Sequence, residues 1–413
     1  MANTEPASAY NGWKRTFLII CLGQAFSVMG SAAVQFAIIW WLTVKTQSAV
    51  TLTAATIAGF VPFMILGPLA GVLADRHNRK TVMMLADGLI AASSAVLWAA
   101  FVIRPDLPVP FIYLAIFIRG IGSTFHNPAM QAAVPMLVPP EMLTKAGGWG
   151  QLIQSLASML GPVLGAVLIE IIPIGPLMLV DITGAAFAII SLIFVRIPDI
   201  PRAKEPPRVF SDMKRGFIAM RANKPLMAIF PSIMLVNILF SPLGSLFPLL
   251  VRVYFKGGAL HNSICQFLFA GGMLISSAVM GVWGGMRRRF LMVASFTVVL
   301  GLSCALSVAF GEGGFWLFAA CSVILGGCGT FLNVPAMAYL QETTAPDVMG
   351  KVLSLIMMSM TLAMPVGLLA AGPVSELIGV DRWFLWSGAA IAATGVLCRL
   401  MTRKYDSETM RPQ

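Results

Sequence analysis

The stretch that decides the fold is GVLADRHNRK, Gly71–Lys80, which places one acid and three basic side chains between two long apolar runs. A fainter copy, GVWGGMRRR at Gly281–Arg289, lies between two later apolar runs. The two copies begin 210 residues apart in a chain of 413 residues, close to half its length. Corresponding polar hairpins in the two halves of an apolar chain indicate a duplicated membrane protein.

The composition also places the chain in the membrane class. Its mean hydropathy is +0.85, and 58% of its residues are hydrophobic but only 11% are charged. A soluble domain carries about 25% charged residues. Polar breaks leave twelve apolar runs, each close to or above the roughly 20 residues that span a bilayer. These runs are 16–44, 51–74, 81–103, 109–137, 147–169, 174–195, 226–252, 263–284, 290–310, 314–342, 351–378 and 382–402.

The backbone in lipid must satisfy its own hydrogen bonds, so these runs form helices or the strands of a closed barrel. The short alternating segments of barrel strands are absent, which leaves an all-α membrane protein with twelve transmembrane helices. Residues 1–13 are polar and the first apolar run is too long for a signal core, so we expect no cleavable signal peptide.

The net charge of +11 is explained by its placement. With the N-terminus in the cytoplasm, the predicted cytoplasmic segments hold 22 of the 28 Lys and Arg residues. This positive-inside bias predicts an inner-membrane protein with both termini cytoplasmic. The basicity therefore gives no reason to expect nucleic acid. The six cysteines show no metal-ligand spacing, so we expect neither a metal nor a cofactor.

We expect the chain to divide into an N-terminal six-helix bundle at 1–195, a cytoplasmic linker at 196–225, and a C-terminal six-helix bundle with a short cytoplasmic tail at 226–413. In the linker, Phe210, Met213, Phe217 and Met220 recur at helical spacing, which favours a short amphipathic helix on the lipid surface. A plain solvated linker is the alternative. A second repeated segment supports duplication, because Gly122 and Gly329 are 207 residues apart, as are Pro128 and Pro335.

These motifs resemble those of the major facilitator superfamily over essentially the whole chain. Gly71-x-x-x-Asp75-Arg76-x-x-Arg79-Lys80 resembles the superfamily's loop motif between helices 2 and 3. Arg119-Gly-Ile-Gly122 resembles a helix 4 motif linked to proton coupling. Gly161-Pro162-Val-Leu-Gly165 resembles the helix 5 motif of antiporters without its upstream glycines. The resemblance implies two six-helix bundles of the major facilitator fold.

More narrowly, the chain is similar to bacterial macrolide efflux proteins. The segments that carry this similarity are Gly23-Gln24-Ala25, Gln35-x-Ala37-Ile38-Ile39, Gly67-Pro68-x-x-Gly71, Phe117-Ile-Arg119, Phe125-His126-x-Pro128-Ala129 and Trp383-Phe384-Leu-x-Ser387-Gly388. The resemblance implies proton-driven export of a large, mostly apolar, weakly basic drug by alternating access. We expect the protein to work as a monomer, with protons, the drug and the lipid bilayer as its partners.

Charged groups inside the bilayer are costly and are therefore functional candidates. Arg119 lies about 15 Å into helix 4 and needs a partner, for which Asp181 in helix 6 is the candidate. His126 is seven residues beyond Arg119 on the same helix face. We predict that all three take part in proton coupling. A static ion pair, and a neutral His hydrogen-bonded between helices, remain open alternatives.

The resemblance implies that the loop cluster latches the two halves together on the cytoplasmic side. Its predicted members are Gly71, Asp75, Arg76, Arg79, Lys80 and Asp87. Positive charge that only sets topology is the alternative, and it explains Arg79 and Lys80 but not Asp75. The second copy has Gly285 where the first has Asp75, so such a latch would be one-sided.

Substrate contacts are predicted from polar residues within the helices, because large amphiphiles bind apolar walls with a few directional polar groups. The candidates are Gln24, Gln35, Gln151, Gln154, Asn237, Asn333 and Gln341. Glu342 is a second-rank proton site. Gly161, Pro162 and Gly165 permit close helix approach and a bend in helix 5, and the resemblance ties them to exchange direction. Ordinary tight packing is the alternative.

The sequence favours a drug:proton antiporter over other classes. Only three His are present, without His-Glu-x-x-His or Gly-x-Ser-x-Gly, and no phosphate-binding loop of the Walker type occurs. We therefore expect no enzyme and no direct use of ATP. The nearest alternative is the same fold exporting another amphiphile, such as a different drug, a siderophore or a lipid. A receptor is less consistent with the repeated loop clusters.

Overall fold

The computed structural model describes residues 13–195, 217, 218, 220, 221 and 223–406. Twelve helices in these ranges are long and apolar enough to cross a membrane, and no strand occurs in the same ranges. This confirms the predicted all-α class. The helices are α1 Trp13–Thr46, α2 Ala49–Arg76, α3 Arg79–Ile103, α4 Val109–Leu137, α5 Leu143–Ile171, α6 Ile174–Ile193, α7 Lys224–Leu249, α8 Ala259–Trp283, α9 Arg289–Leu306, α10 Phe315–Thr343, α11 Pro346–Ile378 and α12 Val380–Thr402.

Local sequence signals explain several helix boundaries. The side chain of Asn78 accepts a hydrogen bond from the amide of Thr81 and caps α3. Asn223 caps α7 in the same way, accepting from the amide of Leu226 at 3.1 Å. Gly379 has φ 97° between α11 and α12, a conformation that glycine adopts without steric cost.

The chain forms two compact units. The first contains Met1–Leu42 and Ala55–Glu205, and the second contains Thr43–Ala54 and Pro206–Gln413. The hairpin Thr43–Ala54 groups with the second unit, where the Glu376 carboxylate accepts bonds from the amides of Ala49 and Val50 at 2.8 and 3.3 Å. A carboxylate at the start of α2 is favourable because the helix N-terminus carries partial positive charge.

Most of the predicted linker lies outside the described residues, including Phe210 and Met213 of the expected amphipathic helix. Phe217 and Met220 are helical, and Met220 is buried in the same apolar cluster as Leu226 and Phe290 of the second unit. This residue therefore packs against protein, which differs from the lipid-facing position predicted for it.

Close glycine contacts bring the helices of the first unit together. A Cβ on Gly161 would meet Ala32, and one on Gly165 would meet the carbonyl of Ala33, so α5 packs directly on α1. Pro162 is buried between these glycines. The close helix approach predicted for this segment is therefore present, as is usual where small residues line membrane helix contacts.

The second unit is packed around aromatic residues. The ring of Phe247 lies 5.2 Å from that of Phe318 and 5.8 Å from that of Phe384, measured between ring centroids. Gly301 and Gly388 meet across α9 and α12, where a Cβ on either would collide with backbone of the other helix. These contacts hold α7, α9, α10 and α12 close together.

Candidate functional site

The first unit buries a charged cluster that four helices build. Arg119 of α4 forms an ion pair with Asp181 of α6, and the two side chains are 7% and 0% exposed. Ser94 of α3 accepts from Arg119 and donates to Asp181, both at 2.6 Å. Ser31 of α1 donates to the other carboxylate oxygen through its hydroxyl, and its carbonyl accepts from Arg119. The predicted pairing of Arg119 with Asp181 is confirmed.

Nearly all buried polar atoms of this cluster have a hydrogen-bond partner, and the cluster consists of Ser31, Ser94, Arg119 and Asp181. Within it, only Arg119 Nε has none among the described residues. A buried charge that loses its partner destabilises a protein strongly, by about 3–5 kcal/mol. The pair is neutral as a whole, so it is tolerated in the membrane interior. A proton added to Asp181 would remove that neutrality and leave the Arg119 charge uncompensated.

A second buried cluster contains Gln24, Asp87 and His126. Gln24 of α1 donates to Asp87 Oδ2 at 3.3 Å, and His126 Nε2 of α4 lies 3.6 Å from Asp87 Oδ1. Asp87 is 2% exposed and His126 is 8% exposed. Gln24 Oε1 and His126 Nε2 have no hydrogen-bond partner among the described residues. The acid and the imidazole are thus buried beside each other without a hydrogen bond between them.

The two clusters are stacked along the same three helices. Gln24 and Ser31 are seven residues apart on α1, as are Asp87 and Ser94 on α3, and Arg119 and His126 on α4. Seven residues return to the same helix face and rise about 10 Å. The first unit therefore holds two polar layers about 10 Å apart, and only the Arg119 layer includes a residue of α6 among the contacts described above.

Asp87, a predicted member of the cytoplasmic latch, is buried inside the first unit, where it contacts Gln24 and His126. It lies in the third turn of α3, beyond the polar hairpin. These contacts join it to buried polar groups of α1 and α4, and its part in the latch stays a prediction.

Other members of the predicted latch make contacts within the first unit. Lys80 Nζ donates to the carbonyls of Ile193 and Val195 at 3.0 and 2.9 Å, next to the end of α6. A cation at the last carbonyls of a helix is stabilising. Arg79 is buried and Gly71 has open space around its Cα. The side chains of Asp75 and Arg76 lie outside the described residues.

The predicted substrate residues fall into separate places. Asn237 and Asn333 line one cavity of about 250 Å³ in the second unit. Gln24 is buried and donates a hydrogen bond to Asp87. Gln35 is half-buried, and the remaining candidates are exposed: Gln151, Gln154 and Gln341.

Glu342 is engaged in a surface ion pair. Its carboxylate receives two bonds from Arg289, at 2.6 and 2.7 Å, and its side chain is 59% exposed. Arg289 follows Arg79 by 210 residues, the spacing of the repeated hairpins. A solvated bidentate pair of this kind is weakly stabilising, and the role of Glu342 as a second-rank proton site stays a prediction.

Sequence reasoning missed Ser31 and Ser94, which tie the Arg119 pair to α1 and α3. Serine in a membrane helix is too common to be singled out alone. The sequence signal is a spacing of seven residues that recurs on three helices. It relates Ser31 to Gln24, Ser94 to Asp87 and Arg119 to His126.

Comparison with known proteins agrees with this architecture. The sequence model of the Major Facilitator Superfamily matches residues 20–367. The chain is 38% identical over 402 residues to Macrolide efflux protein A of Streptococcus pyogenes, which covers 96% of this chain and 99% of that protein. It is 37% identical over 316 residues to Macrolide efflux protein A of Enterococcus faecalis, covering 76% and 97%. Among solved structures, a bacterial homologue of the iron transporter ferroportin in an inward-facing state has a TM-score of 0.71 at 15% identity, covering 95% of this chain and 99% of that one.

Proposed function

We propose that this chain, which belongs to the Major Facilitator Superfamily, exports macrolide-type antibiotics in exchange for protons. Membership of this family makes it a multi-pass membrane transporter and not an enzyme. The observation that supports a macrolide as the cargo is 38% identity to a macrolide efflux protein along 96% of the chain. We place the protein in the bacterial inner membrane with both termini cytoplasmic, as the distribution of Lys and Arg indicates. We further propose that it works as a monomer.

The proton step is assigned to Arg119, Asp181 and His126. Protonation of Asp181 would cancel the charge that faces Arg119 and break the charged tie between α4 and α6. His126 and Asp87 form a second place where a proton can be held, because either group can carry it at their 3.6 Å separation. In this scheme inward movement of protons drives outward movement of drug by alternating access.

The cytoplasmic latch is assigned to Gly71, Asp75, Arg76, Arg79 and Lys80. Its support is the concentration of one acid and three basic side chains at the turn between α2 and α3. The bonds from Lys80 to the carbonyls of Ile193 and Val195 tie this turn to the end of α6. A movement of α6 that follows protonation of Asp181 would thus reach the hairpin directly.

Gly161, Pro162 and Gly165 are assigned to the exchange movement. The contacts of Gly161 with Ala32 and of Gly165 with Ala33 join α5 to α1 at backbone distance. Helix α1 also carries Gln24 and Ser31 of the two polar layers. Of the predicted substrate contacts, the cavity that contains Asn237 and Asn333 supports a role in binding.

The test is macrolide susceptibility of a pump-deficient bacterium that expresses the chain, together with erythromycin uptake by inverted vesicles that carry a proton gradient. We expect the parent to raise the inhibitory concentration and an uncoupler to abolish uptake. Arg119→Ala should be inactive, whereas Gly147→Ala, at an exposed position of α5 with open space for a Cβ, should behave as the parent. Protection against another amphiphile without any against macrolides would transfer the proposal to that cargo. Uptake that survives the uncoupler would overturn the antiport step.

A further inference from the structure

The second unit contains a cavity of about 250 Å³ among α7, α8, α9, α10 and α12. Its inner wall includes the buried residues Leu300 and Leu325, and Asn333 and Met273 at its rim are exposed. No charged side chain lines it. This volume exceeds that of a cavity that holds benzene, about 150 Å³, and is just below the range of whole-drug pockets, about 300–1,000 Å³. It therefore fits one ring of a large ligand.

The position of this cavity in the duplicated chain is informative. At the repeat spacing of 207 residues, Arg119 corresponds to Gly326 and His126 to Asn333. At the spacing of 210 residues, Asp87 corresponds to Thr297. Gly326, Asn333 and Thr297 all line the cavity. The place that holds the charged layers in the first unit is thus neutral and hollow in the second, which points to a binding role that needs space in place of charge.

The polar groups of the cavity present hydrogen-bond acceptors. Asn237 donates through Nδ2 to the carbonyl of Ile233, and Asn333 donates to that of Gly329, both at 2.9 Å. Each amide oxygen is left without a donor among the described residues. The hydroxyl of Thr297 likewise donates a hydrogen bond to the carbonyl of Val293 at 2.8 Å, which leaves its oxygen as an acceptor. A ligand group that carries hydroxyl donors would satisfy these oxygens.

The walls around these acceptors are apolar. The rings of Phe240 and Phe269 stack with their centroids 6.4 Å apart, and Met273 and Leu332 lie beside them. Aromatic and thioether side chains give an apolar surface that adapts to ligand shape. The matching ligand group is a saturated ring with apolar faces and a few hydroxyl donors.

We propose that this cavity is a subsite for one deoxysugar-type ring of a glycosylated macrolide, with Asn237 and Asn333 accepting hydrogen bonds from its hydroxyl groups. The inference rests on the proposed macrolide export and adds the part of the cargo that the second unit recognises. Gly329 is the position that tests it, because it lines the cavity and a Cβ there would meet nothing within 4 Å.

The experiment measures equilibrium binding of erythromycin, and of the same macrolide ring without sugars, to the purified full-length chain in detergent. We expect Gly329→Leu to fill the cavity and to weaken erythromycin binding about tenfold or more, with binding of the sugar-free ring changed less than about twofold. Asn237→Ala and Asn333→Ala should each weaken erythromycin binding roughly 2- to 10-fold. Gly271→Leu is the matched control, since it lies on α8 outside the cavity lining and also has open space for a Cβ.

Melting temperature and elution volume check the folding of each variant. If Gly329→Leu does not fold, Gly329→Ala with Asn333→Ala carries the test. A folded Gly329→Leu that binds erythromycin as the parent does would overturn the subsite and leave macrolide export intact. Equal losses for erythromycin and for the sugar-free ring would overturn the sugar assignment. A parent that neither binds nor exports any macrolide would overturn the proposed function, and the subsite with it.

Discussion

The ion pair of Arg119 and Asp181 gives the sharpest test of whether a buried charge here serves transport or only packing. Asp181→Asn keeps the size of the side chain but removes its charge. Ser31, Ser94 and Arg119 would lose the carboxylate that they contact. Removing one partner of a buried pair costs about 3–5 kcal/mol, so we expect the melting temperature to fall by several degrees and proton-driven export to be lost.

A double variant separates stability from coupling. Arg119→Met combined with Asp181→Leu removes both charges, and replacement of a whole buried pair by apolar residues is often neutral or stabilising. We therefore expect the melting temperature of the double variant to return to that of the parent. Export measured in vesicles with a proton gradient should remain absent, because no group at this layer can then exchange a proton.

The result that would refute this reasoning is export by the double variant at the parental rate. The ion pair would then be a structural feature, as the alternative from sequence allowed. Drug binding by the purified double variant is the control, because it should persist when only coupling is lost. Loss of binding would place the defect in the drug site instead.

Three further predictions concern other residues. Asp87→Asn should retain drug binding but lower the number of protons exchanged per drug, measured as proton flux against drug flux, and an unchanged ratio would exclude this group. Gly165→Leu should force a side chain against the Ala33 carbonyl, lower the free energy of unfolding by about 1–3 kcal/mol and reduce export. Gly147→Leu on the same helix has open space and should change neither stability nor export. Melting curves and vesicle uptake measure the two effects. Glu342→Gln should change stability by less than about 1 kcal/mol and leave export unchanged, because Glu342 is mostly exposed, and a strong export defect would return it to the coupling groups.

The sequence was sufficient to predict the twelve helices and one ion pair, and the physical reasons are clear. Apolar runs of about 20 residues can only be helices in this context, and a charge as deep as Arg119 must find a partner. Asp87 could not be placed in the same way. The carboxylate lies close to the end of a helix in the chain, and only the packing of α1 and α4 against α3 shows that it is buried.

The cavity in the second unit was beyond sequence reasoning for a different reason. A cavity is space that neighbouring side chains leave unfilled, so it depends on how five helices approach one another. Asn237 and Asn333 were recognised as polar residues in apolar helices, yet nothing in the chain indicates that they face the same space. Gln151 and Gln154 have the same signature and are exposed.

The two polar layers of the first unit are separated by a side chain, and this decides how they can act together. Ile90 lies three residues beyond Asp87 and four before Ser94, and it fills the space beside Gly122, midway between Arg119 and His126. A hydrogen bond spans about 2.7–3.2 Å, so a gap of about 10 Å that contains an apolar side chain does not pass a proton directly. We therefore expect no direct proton transfer between the layers. Coupling between them would act through space, between the charges of Asp87 and Asp181, or through the positions of α1, α3 and α4, which both layers share.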